Sequence, residues 1–264
     1  MNILVVGRGW TGKKVIEELR NRGHIITITS HKAALDVLTQ DKFDWVVNCA
    51  GVTGVPNVDA CESDRVGTMM GNAVFPILLY EACLKAGVRM SHFSSGCIYE
   101  GNILTTDADP NFFGSIYSIS KGISDSYLKN KAQVYRIRMP FTSKNESKNY
   151  LTKILKYANS GKLIEAGPNS LTDLDEAVKV VCDLIEAQAP NGPYNLVNQG
   201  SVTMHELVEL LDISPSWFTT EEFKDATVAS RSNCVIPSYE SMRPIKDALR
   251  DAINSLLDKQ QNNS

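Results

Sequence analysis

The stretch ILVVGRGWTGKKVIEEL, residues 3–19, decides the fold. An apolar run at 3–6 leads directly into G-x-G-x-x-G at 7–12, and an amphipathic, helix-like run follows. Glycines at this spacing let the backbone turn tightly and approach a pyrophosphate, while the amides at the start of the helix favour its negative charge. A tight turn without a ligand is the alternative, but the flanking strand and helix favour a dinucleotide site. Its candidate residues are Gly7, Arg8, Gly9, Trp10, Thr11 and Gly12.

Outward from this stretch, short apolar strands alternate with helix-like runs. Strands are predicted at 3–6, 25–29, 44–51, 90–95 and 134–139, and helices at 13–23, 57–87 and 115–130. The continuous hydrophobicity of the strands indicates burial on both faces. The regular alternation therefore predicts an α/β fold, a Rossmann-like doubly wound parallel sheet that binds ligands at the carboxyl ends of its strands.

Beyond Pro140 the pattern loosens, which predicts a smaller C-terminal substrate-binding lobe. We expect residues 1–140 to form the dinucleotide-binding domain, rejoined by about 174–198, and residues 141–264 to form mainly the substrate lobe. Helices are expected at 149–160 and 174–187, and one more strand at 193–198. The polar end of the chain, 259–264, is expected to be disordered.

Composition limits the function classes. A net charge of −3 over 264 residues offers no field to attract nucleic acid, and the first apolar run is too short for a membrane span or signal peptide. Six scattered cysteines and four separated histidines lack the spacing of a zinc site or a disulfide framework. We expect a cytoplasmic protein that acts on a small molecule, without a metal, nucleic acid or membrane.

The end of the second strand predicts which dinucleotide binds. An NAD-binding fold usually places an acidic residue there for the ribose hydroxyls, but this chain has Thr29-Ser30-His31-Lys32. With Arg8, the side chains of Ser30, His31 and Lys32 would suit a ribose phosphate, which favours NADPH over NADH. A solvated polar loop is the alternative. Three residues at the end of the third predicted strand would line the adenosine side or only close the strand, namely Asn48, Ala50 and Gly51.

Tyr117 and Lys121 are the candidate catalytic pair. Four residues apart on a helix, a phenol and an ammonium share one face, and a neighbouring cation can stabilise a phenolate whose ordinary pKa is about 10. Ser95, after the fourth strand, would orient the substrate oxygen from the same sheet edge. Tyr127 and Lys131 repeat the spacing roughly 15 Å further along the helix, in a setting typical of a solvated helix end.

These motifs resemble those of the extended short-chain dehydrogenases/reductases over nearly the entire chain. Longer stretches are similar to the branch of UDP-4-keto-6-deoxyglucose 3,5-epimerase/4-reductases that complete UDP-L-rhamnose synthesis. The similar stretches are GVTGVPNVDACE at 51–62, FSSGCIYE at 93–100, NFFGSIYSISK at 111–121, RMP at 138–140 and ASRSN at 229–233.

The resemblance implies residue roles. Tyr117 would be the acid of the reductase, Lys121 would lower its pKa and hold the ribose, and Ser95 would orient the substrate. Cys97 and Lys153 would share the base and acid roles of epimerisation, because a C4 ketone acidifies the protons at C3 and C5. Without the resemblance, Cys97 would be read as a buried hydrophobe and Lys153 as an exposed helix lysine.

The resemblance also implies partners. A UDP-sugar would be the substrate, a separate 4,6-dehydratase would supply the keto sugar, and a homodimer would follow family habit. Asn72 matches a supporting asparagine of the branch, although glycine precedes it where threonine is usual. Five residues would approach the sugar nucleotide beside Ser95: Asn72, Asn111, Phe112, Arg231 and Asn233.

Two other functions stay open at this stage. One is a dTDP-4-keto-L-rhamnose reductase without epimerase activity, but such enzymes commonly carry an aspartate-tyrosine pair where this chain has Gly96-Cys97. The other is a non-catalytic, NADP-binding regulatory subunit, against which the intact Tyr117, Lys121 and Ser95 argue.

Overall fold

A computed structural model describes residues 1–261, and the positions of the strands and helices confirm the predicted α/β class. The strands, in chain order, are β1 (Asn2–Val6), β2 (Ile25–Thr29), β3 (Trp45–Asn48), β4 (Arg89–Ser95), β5 (Gly101–Asn102), β6 (Gln133–Ile137), β7 (Pro140–Phe141), β8 (Lys162–Leu163), β9 (Thr172–Asp173), β10 (Gly192–Asn195), β11 (Ser216–Trp217) and β12 (Cys234–Val235).

The α-helices surround these strands. They are α1 (Trp10–Asn21), α2 (Ala34–Gln40), α3 (Asp59–Ser63), α4 (Arg65–Met69), α5 (Phe75–Ala86), α6 (Ile116–Leu128), α7 (Tyr150–Ser160), α8 (Leu174–Glu186), α9 (Met204–Leu210), α10 (Thr220–Ala226) and α11 (Ile245–Gln261). A π-helical turn, Met70–Val74, joins α4 to α5, and a 3-10 turn, Gly96–Ile98, follows β4.

The central sheet is parallel, in the order β10-β6-β4-β3-β1-β2. The chain starts in β1, next to one edge of the sheet, moves outward to the edge strand β2, and then crosses back through β3 and β4. Because β1, β3 and β4 are parallel neighbours, their carboxyl ends open onto one edge. That edge is where a doubly wound sheet binds its ligands.

Two buried layers cover the sheet, and a third core lies outside it. Leu19 of α1 and Val181 of α8 belong to the core on one face of the sheet. Leu79 of α5 and Leu128 of α6 belong to the core on the other face. The separate core is built from residues after 140, with Ile154 of α7 among them, so the C-terminal part of the chain buries apolar surface of its own.

The structure differs from the predicted elements in several places. The helix predicted over 57–87 is broken into α3, α4, the π-helical turn and α5. The third strand ends at Asn48, because the Asn48 side chain accepts a hydrogen bond from the Ala50 amide and turns the chain. At the chain end, the disorder predicted from 259 is wrong as far as Gln261, which ends α11, and 262–264 lie outside the described residues.

The helical run Arg65–Ala86 is long and apolar enough to cross a membrane by length and composition alone. In the fold it packs against α6, and 39% of its most apolar window is buried inside the protein. A core helix of a soluble protein passes the same test, so the run is weak evidence for a membrane span.

Candidate active site

The glycine loop joins β1 to α1 by close backbone contact. Gly7 has φ +97°, and a Cβ built on it would lie 2.7 Å from the amide nitrogen of Ala50. A Cβ on Gly12 would lie 2.2 Å from the Gly7 carbonyl oxygen. Only glycine fits at these two positions, and the contact brings the start of α1 against the carboxyl end of β1. Gly9 precedes α1 as its N-cap residue, and Thr11 lies in its first turn.

A shallow cavity of about 370 Å³ opens beside this loop. Its lining residues are Gly7, Arg8, Ile28, Thr29, Ser30, His31 and Ala50. None of these lining residues carries a carboxylate. Where an NAD-binding fold would have one, this cavity has the hydroxyl groups of Thr29 and Ser30 and the guanidinium of Arg8 as hydrogen-bond donors. The residues therefore fit a dinucleotide whose adenosine ribose carries a phosphate. Lys32, which was predicted to join them, is exposed and lies outside the lining.

The residues at and after the end of β3 have two kinds of role: some support the strand end, and others line the cofactor cavity. Asn48 is buried and points inward, where its amide contacts His92 Nδ1 at 3.1 Å, so it closes the strand. Ala50 lines the cavity. Gly51 lies next to Lys121, since a Cβ on Gly51 would lie 3.2 Å from the Lys121 Nζ.

Residues 143–148, here called the strap, connect the C-terminal part of the chain to the glycine loop. The indole N–H of Trp10 donates to Glu146 at 2.8 Å, and the Lys148 Nζ lies 3.5 Å from the Gly54 carbonyl oxygen. Asn149 holds the base of the strap by donating to the Thr142 and Lys144 carbonyls. The Trp10 N–H is thus committed to the strap and not to a phosphate.

The start of α6 places Tyr117 at the sheet edge. The Ser115 hydroxyl caps the helix by accepting from the Ser118 amide at 3.1 Å, and Glu62 accepts from the Ile116 amide at 2.6 Å. A carboxylate at a helix N-terminus is stabilised by the exposed amides and the helix dipole. The first turn of α6 is therefore fixed from two sides.

Tyr117 is half-buried beside Ser95 and Cys97. Burial raises the pKa of the Tyr117 phenol, the Cys97 side chain raises it further, and a hydrogen bond with Ser95 opposes the rise. The phenol is consequently protonated at neutral pH and can act as an acid.

Lys121 lies one turn further along α6 and is 4% exposed. Its ammonium donates to the Phe93 carbonyl at 2.9 Å. Burial lowers the pKa of Lys121 to about 8, although Asp125 and Cys49 act in the opposite direction. The role of Lys121 in lowering the Tyr117 pKa stays a prediction; in the chain alone its ammonium is bonded to the Phe93 carbonyl.

The second tyrosine-lysine pair lies away from this edge. The Tyr127 hydroxyl donates to Glu81 on α5, and the Lys131 Nζ lies 3.4 Å from the centre of the Tyr127 ring. These contacts hold the two side chains on the outer helices, so the repeat of the spacing has a structural role.

Cys97 occupies the 3-10 turn directly after Ser95. Its amide donates to the Ser95 hydroxyl at 3.0 Å, and its carbonyl accepts from the Ser118 hydroxyl at 2.8 Å. The thiol is half-buried and free. The backbone on both sides of Cys97 is therefore fixed, and its side chain lies next to Tyr117.

Lys153 lies on α7, three residues after Tyr150 and on the same face. The lysine is half-buried, and burial followed by the charge of Lys148 lowers its pKa. Burial raises the pKa of Tyr150 to about 12, Arg138 opposes this and Cys97 adds to it. The helix that carries Lys153 thus begins beside Cys97.

Two predicted substrate contacts, Asn72 and Asn111, are bonded to backbone groups of the protein. Asn72, in the π-helical turn, is fully buried and bonds both backbone groups of Val52, at 2.8 Å each, and also the Ser120 hydroxyl. Its amide supports the loop after β3 and does not reach an open cleft. Asn111 bonds both the amide and the carbonyl of Glu100, which fixes a hairpin-like turn.

Three further predicted contacts are also held by protein groups. Phe112 is 8% exposed and packs against Gly114. Arg231 donates to Asp59 at 2.8 Å; burial alone would raise the pKa of Asp59, but this bond and two backbone amides lower it. Asn233 is exposed, and its side-chain oxygen accepts from Asn169 at 2.8 Å. The pairing of Arg231 leaves less of its guanidinium for a diphosphate than the sequence suggested.

Sequence reasoning missed the buried support of the site. Arg138 lies 1% exposed beneath the Cys97 turn and donates to the Gly96 carbonyl at 3.2 Å. Tyr150 and Ser118 contact or adjoin Cys97 as described above. The signal in the sequence was the RMP stretch at 138–140, whose arginine had no assigned role. Among residues 1–261, no group of three or more His, Cys, Asp or Glu side chains is placed to hold a metal ion.

Comparisons with known proteins agree with this geometry. A bifunctional dTDP-4-dehydrorhamnose 3,5-epimerase/dTDP-4-dehydrorhamnose reductase of Arabidopsis thaliana is 33% identical over 256 residues, which cover 88% of this chain and 83% of that protein. The crystal structure of the L780 UDP-rhamnose synthase from Acanthamoeba polyphaga mimivirus superposes with a TM-score of 0.86 at 26% identity, covering 97% of this chain and 99% of that one.

A dTDP-4-dehydrorhamnose reductase from Bacillus anthracis, solved in complex with NADP, shares the fold with a TM-score of 0.79 at 17% identity, over 98% of this chain and 100% of that chain. The RmlD substrate binding domain family matches residues 1–222. With the glycine loop, the half-buried Tyr117 and the parallel sheet in place, the chain belongs to the RmlD substrate binding domain family of extended short-chain dehydrogenases/reductases.

Proposed function

We propose that this oxidoreductase of nucleotide-sugar 4-keto intermediates is bifunctional and converts UDP-4-keto-6-deoxy-D-glucose to UDP-L-rhamnose by 3,5-epimerisation and 4-reduction. The observation that carries the proposal is the grouping of Tyr117, Ser95 and Cys97 at the carboxyl edge of β4. An acid, an orienting hydroxyl and a free thiol stand together there. A reductase alone needs only the first two.

The cofactor of the proposed reaction is NADPH, which when bound supplies the hydride for C4. The glycine loop would hold its pyrophosphate at the start of α1, and Arg8, Ser30 and His31 would hold the ribose phosphate. The Lys121 ammonium, which lies beside Gly51, would bond the second ribose.

In the reduction, Tyr117 gives its proton to the C4 oxygen. The phenol holds that proton because burial raises its pKa. The Ser95 oxygen accepts a hydrogen bond from the Cys97 amide, which leaves the Ser95 O–H, the partner of Tyr117, to donate to the same substrate oxygen when the sugar is bound. Both groups stabilise the negative charge that develops at that oxygen.

In the epimerisation, a base removes the proton at C3 or C5 and an acid returns one on the opposite face. Cys97 and Lys153 are proposed for these roles. The lowered pKa of Lys153 lets its amine exchange a proton closer to neutral pH than an ordinary lysine. The C4 carbonyl accepts the charge of the intermediate enolate, so the Ser95 hydroxyl serves this step too.

The test is turnover of the purified protein in deuterium oxide with NADPH and UDP-4-keto-6-deoxyglucose. We expect a rhamnose nucleotide with deuterium at C3 and C5 and stoichiometric oxidation of NADPH. NADPH oxidation without deuterium at C3 and C5 would show a reductase without epimerase activity. A parallel assay with the dTDP-linked keto sugar measures the nucleotide preference.

Two partners complete the proposal. A separate 4,6-dehydratase would make the keto sugar, because this reaction consumes a 4-ketone without forming one. A homodimer would cover apolar side chains exposed on α4, α5 and α6, such as Val66, Leu84 and Ile123, which are 76%, 61% and 42% exposed. Light scattering of the purified protein measures its mass and tests the dimer.

A further inference from the structure

Arg138 is a buried arginine without a carboxylate partner within residues 1–261. Its guanidinium donates to four oxygens, those of the Gly96 carbonyl, the Ser232 carbonyl, the Asn169 side chain and, at 3.5 Å, the Ser232 hydroxyl. Its Nε is buried and has no partner among the described residues. Arg136, two residues earlier on β6, has the usual arrangement, an ion pair with Asp125 at 2.6 Å. Burying an arginine without a counter-charge is costly, so its place in the fold calls for a functional reason.

The contacts of Arg138 lead directly to Ser95. The guanidinium donates to the carbonyl of Gly96, and the N–H of the same peptide, which belongs to Cys97, donates to the Ser95 hydroxyl at 3.0 Å. Hydrogen bonds in such a chain polarise one another in a low-dielectric interior. A cation at the carbonyl end makes the peptide N–H a stronger donor, which makes the Ser95 O–H a stronger donor in turn.

The positive charge of Arg138 affects the pKa values of neighbouring side chains. Against the dominant effect of burial, Arg138 lowers the pKa of Tyr150 and that of Cys234. The Cys234 thiol donates to the same Gly96 carbonyl at 3.3 Å. The 3-10 turn that carries Cys97 is therefore bonded to the Arg138 guanidinium, a cation without a carboxylate partner within residues 1–261.

We propose that Arg138 is a positioning residue that acts through the Gly96–Cys97 peptide to orient and polarise Ser95 toward the C4 oxygen of the substrate. This inference rests on the proposed function. Negative charge develops on that oxygen both in the enolate of epimerisation and in the alkoxide of reduction. Arg138 is therefore coupled to both half-reactions, whereas Tyr117 and Cys97 each belong mainly to one.

The decisive variant is Asn169→Asp, because it places a carboxylate against the guanidinium; the hydrogen bonds that the Asn169 amide donates to Gly167 and Asn233 are lost with it. Arg138→Gln removes the charge, and Arg138→Lys keeps it. Loss of a direct oxyanion donor costs on the order of 10²–10³ in kcat, so loss of an indirect one is expected to cost about tenfold. Asn195→Asp is the matched control, since Asn195 contacts the already paired Arg136 at 3.4 Å.

We expect Asn169→Asp and Arg138→Gln to lower kcat for NADPH oxidation and the rate of deuterium entry at C3 and C5 by the same factor, about tenfold. NADPH affinity should stay within about twofold, because no residue that lines the cofactor cavity is bonded to the Arg138 side chain. Arg138→Lys should retain more of both rates than Arg138→Gln, and Asn195→Asp should leave both unchanged.

The role of Arg138 is overturned if folded Asn169→Asp protein keeps both rates, if only one rate falls, or if NADPH affinity falls in parallel with them. If the Arg138 variants do not fold, Asn169→Asp decides alone. Wild-type protein that fails to turn over the keto sugar overturns the proposed function itself, and that outcome is distinguished because wild type is assayed first.

Discussion

Tyr117 and its neighbours set the chemistry at the scale of single residues. Burial keeps the phenol protonated, the Ser95 hydroxyl faces it, and Cys97 follows Ser95 by two residues. The tyrosine, lysine and serine could be predicted from spacing, because strand ends and a helix face bring them together in any parallel sheet. The partner of Lys121 could not, since the Phe93 carbonyl that it bonds lies 28 residues earlier on another element.

Tyr117→Phe tests the acid of the reduction. We expect NADPH oxidation to fall by on the order of 10²–10⁴, because the C4 oxygen loses its proton donor. Deuterium exchange at C3 and C5 should continue, and NMR of the recovered sugar measures it. Tyr127→Phe is the control; it removes only the bond to Glu81 and should keep full activity.

Cys97→Ala tests the epimerase half. Exchange at C3 and C5 should fall below detection, while NADPH oxidation continues when the already epimerised 4-keto sugar is supplied. Cys83→Ala is the control, because Cys83 is fully buried in the core under α5 and should affect stability only. Equal loss of exchange and reduction in Cys97→Ala would contradict the division of roles.

Lys121 predicts a pH dependence of cofactor binding. Its pKa in the free protein is lowered to about 8, so the ammonium is present below that pH and lost above it. NADPH affinity is therefore expected to weaken as the pH rises through about 8. Fluorescence titrations on both sides of this pH measure it. Lys121→Arg, which stays charged, should bind with little pH dependence over the same range, and a wild-type profile as flat would count against a role for the ammonium.

At the scale of elements, the π-helical turn between α4 and α5 shows a limit of sequence reasoning. Apolar periodicity continues through 57–87, so a single helix was predicted. The extra residue in the turn aims Asn72 at Val52, and both backbone groups of Val52 are bonded by it. Because a π turn changes the hydrogen-bond register without changing the residue types, its position depends on a contact between distant segments.

The ion pair between β6 and α6 gives a stability prediction. Arg136 and Asp125 are both fully buried and bond each other through two contacts, at 2.6 Å and 3.0 Å. Arg136→Met leaves the carboxylate buried without its counter-charge, so the free energy of unfolding should fall by about 3–5 kcal/mol. Urea denaturation measures the loss. The double variant Arg136→Met/Asp125→Leu should recover much of it, and additive losses in the double variant would contradict the pairing.

At the scale of the whole molecule, the strap ties the C-terminal core to the glycine loop. Glu146→Ala removes the acceptor of the Trp10 N–H, a hydrogen bond to a charged group worth about 1.5–3 kcal/mol. We expect NADPH to dissociate roughly tenfold faster, because this bond holds Trp10 in the glycine loop that would bind the pyrophosphate. Stopped-flow displacement measures the rate. Lys144→Ala, an exposed substitution in the same strap, is the control and should leave the rate unchanged.

For the second core, which is built from residues after 140, the sequence predicted only its approximate position in the chain. Its position after 140 was expected, but its helices α9 to α11 were not, since short amphipathic segments between polar loops give weak periodic signals. The return of the chain to the sheet was expected near 193–198, and the strand is Gly192–Asn195. The sequence did not predict that these residues pair with β6 and form the edge of the sheet.

That late pairing bears on how the protein is made. During synthesis the ribosome delivers β6 some 55 residues before β10, the strand that covers its outer side, as 192 − 137 shows. Until β10 is synthesised, the outer edge of β6 has no strand to pair with. Until α8 is synthesised, the core on one face of the sheet lacks the side chains of that helix. The dinucleotide-binding half is therefore no separable module: a truncation or a fusion joint anywhere before 195 would leave it open to aggregation.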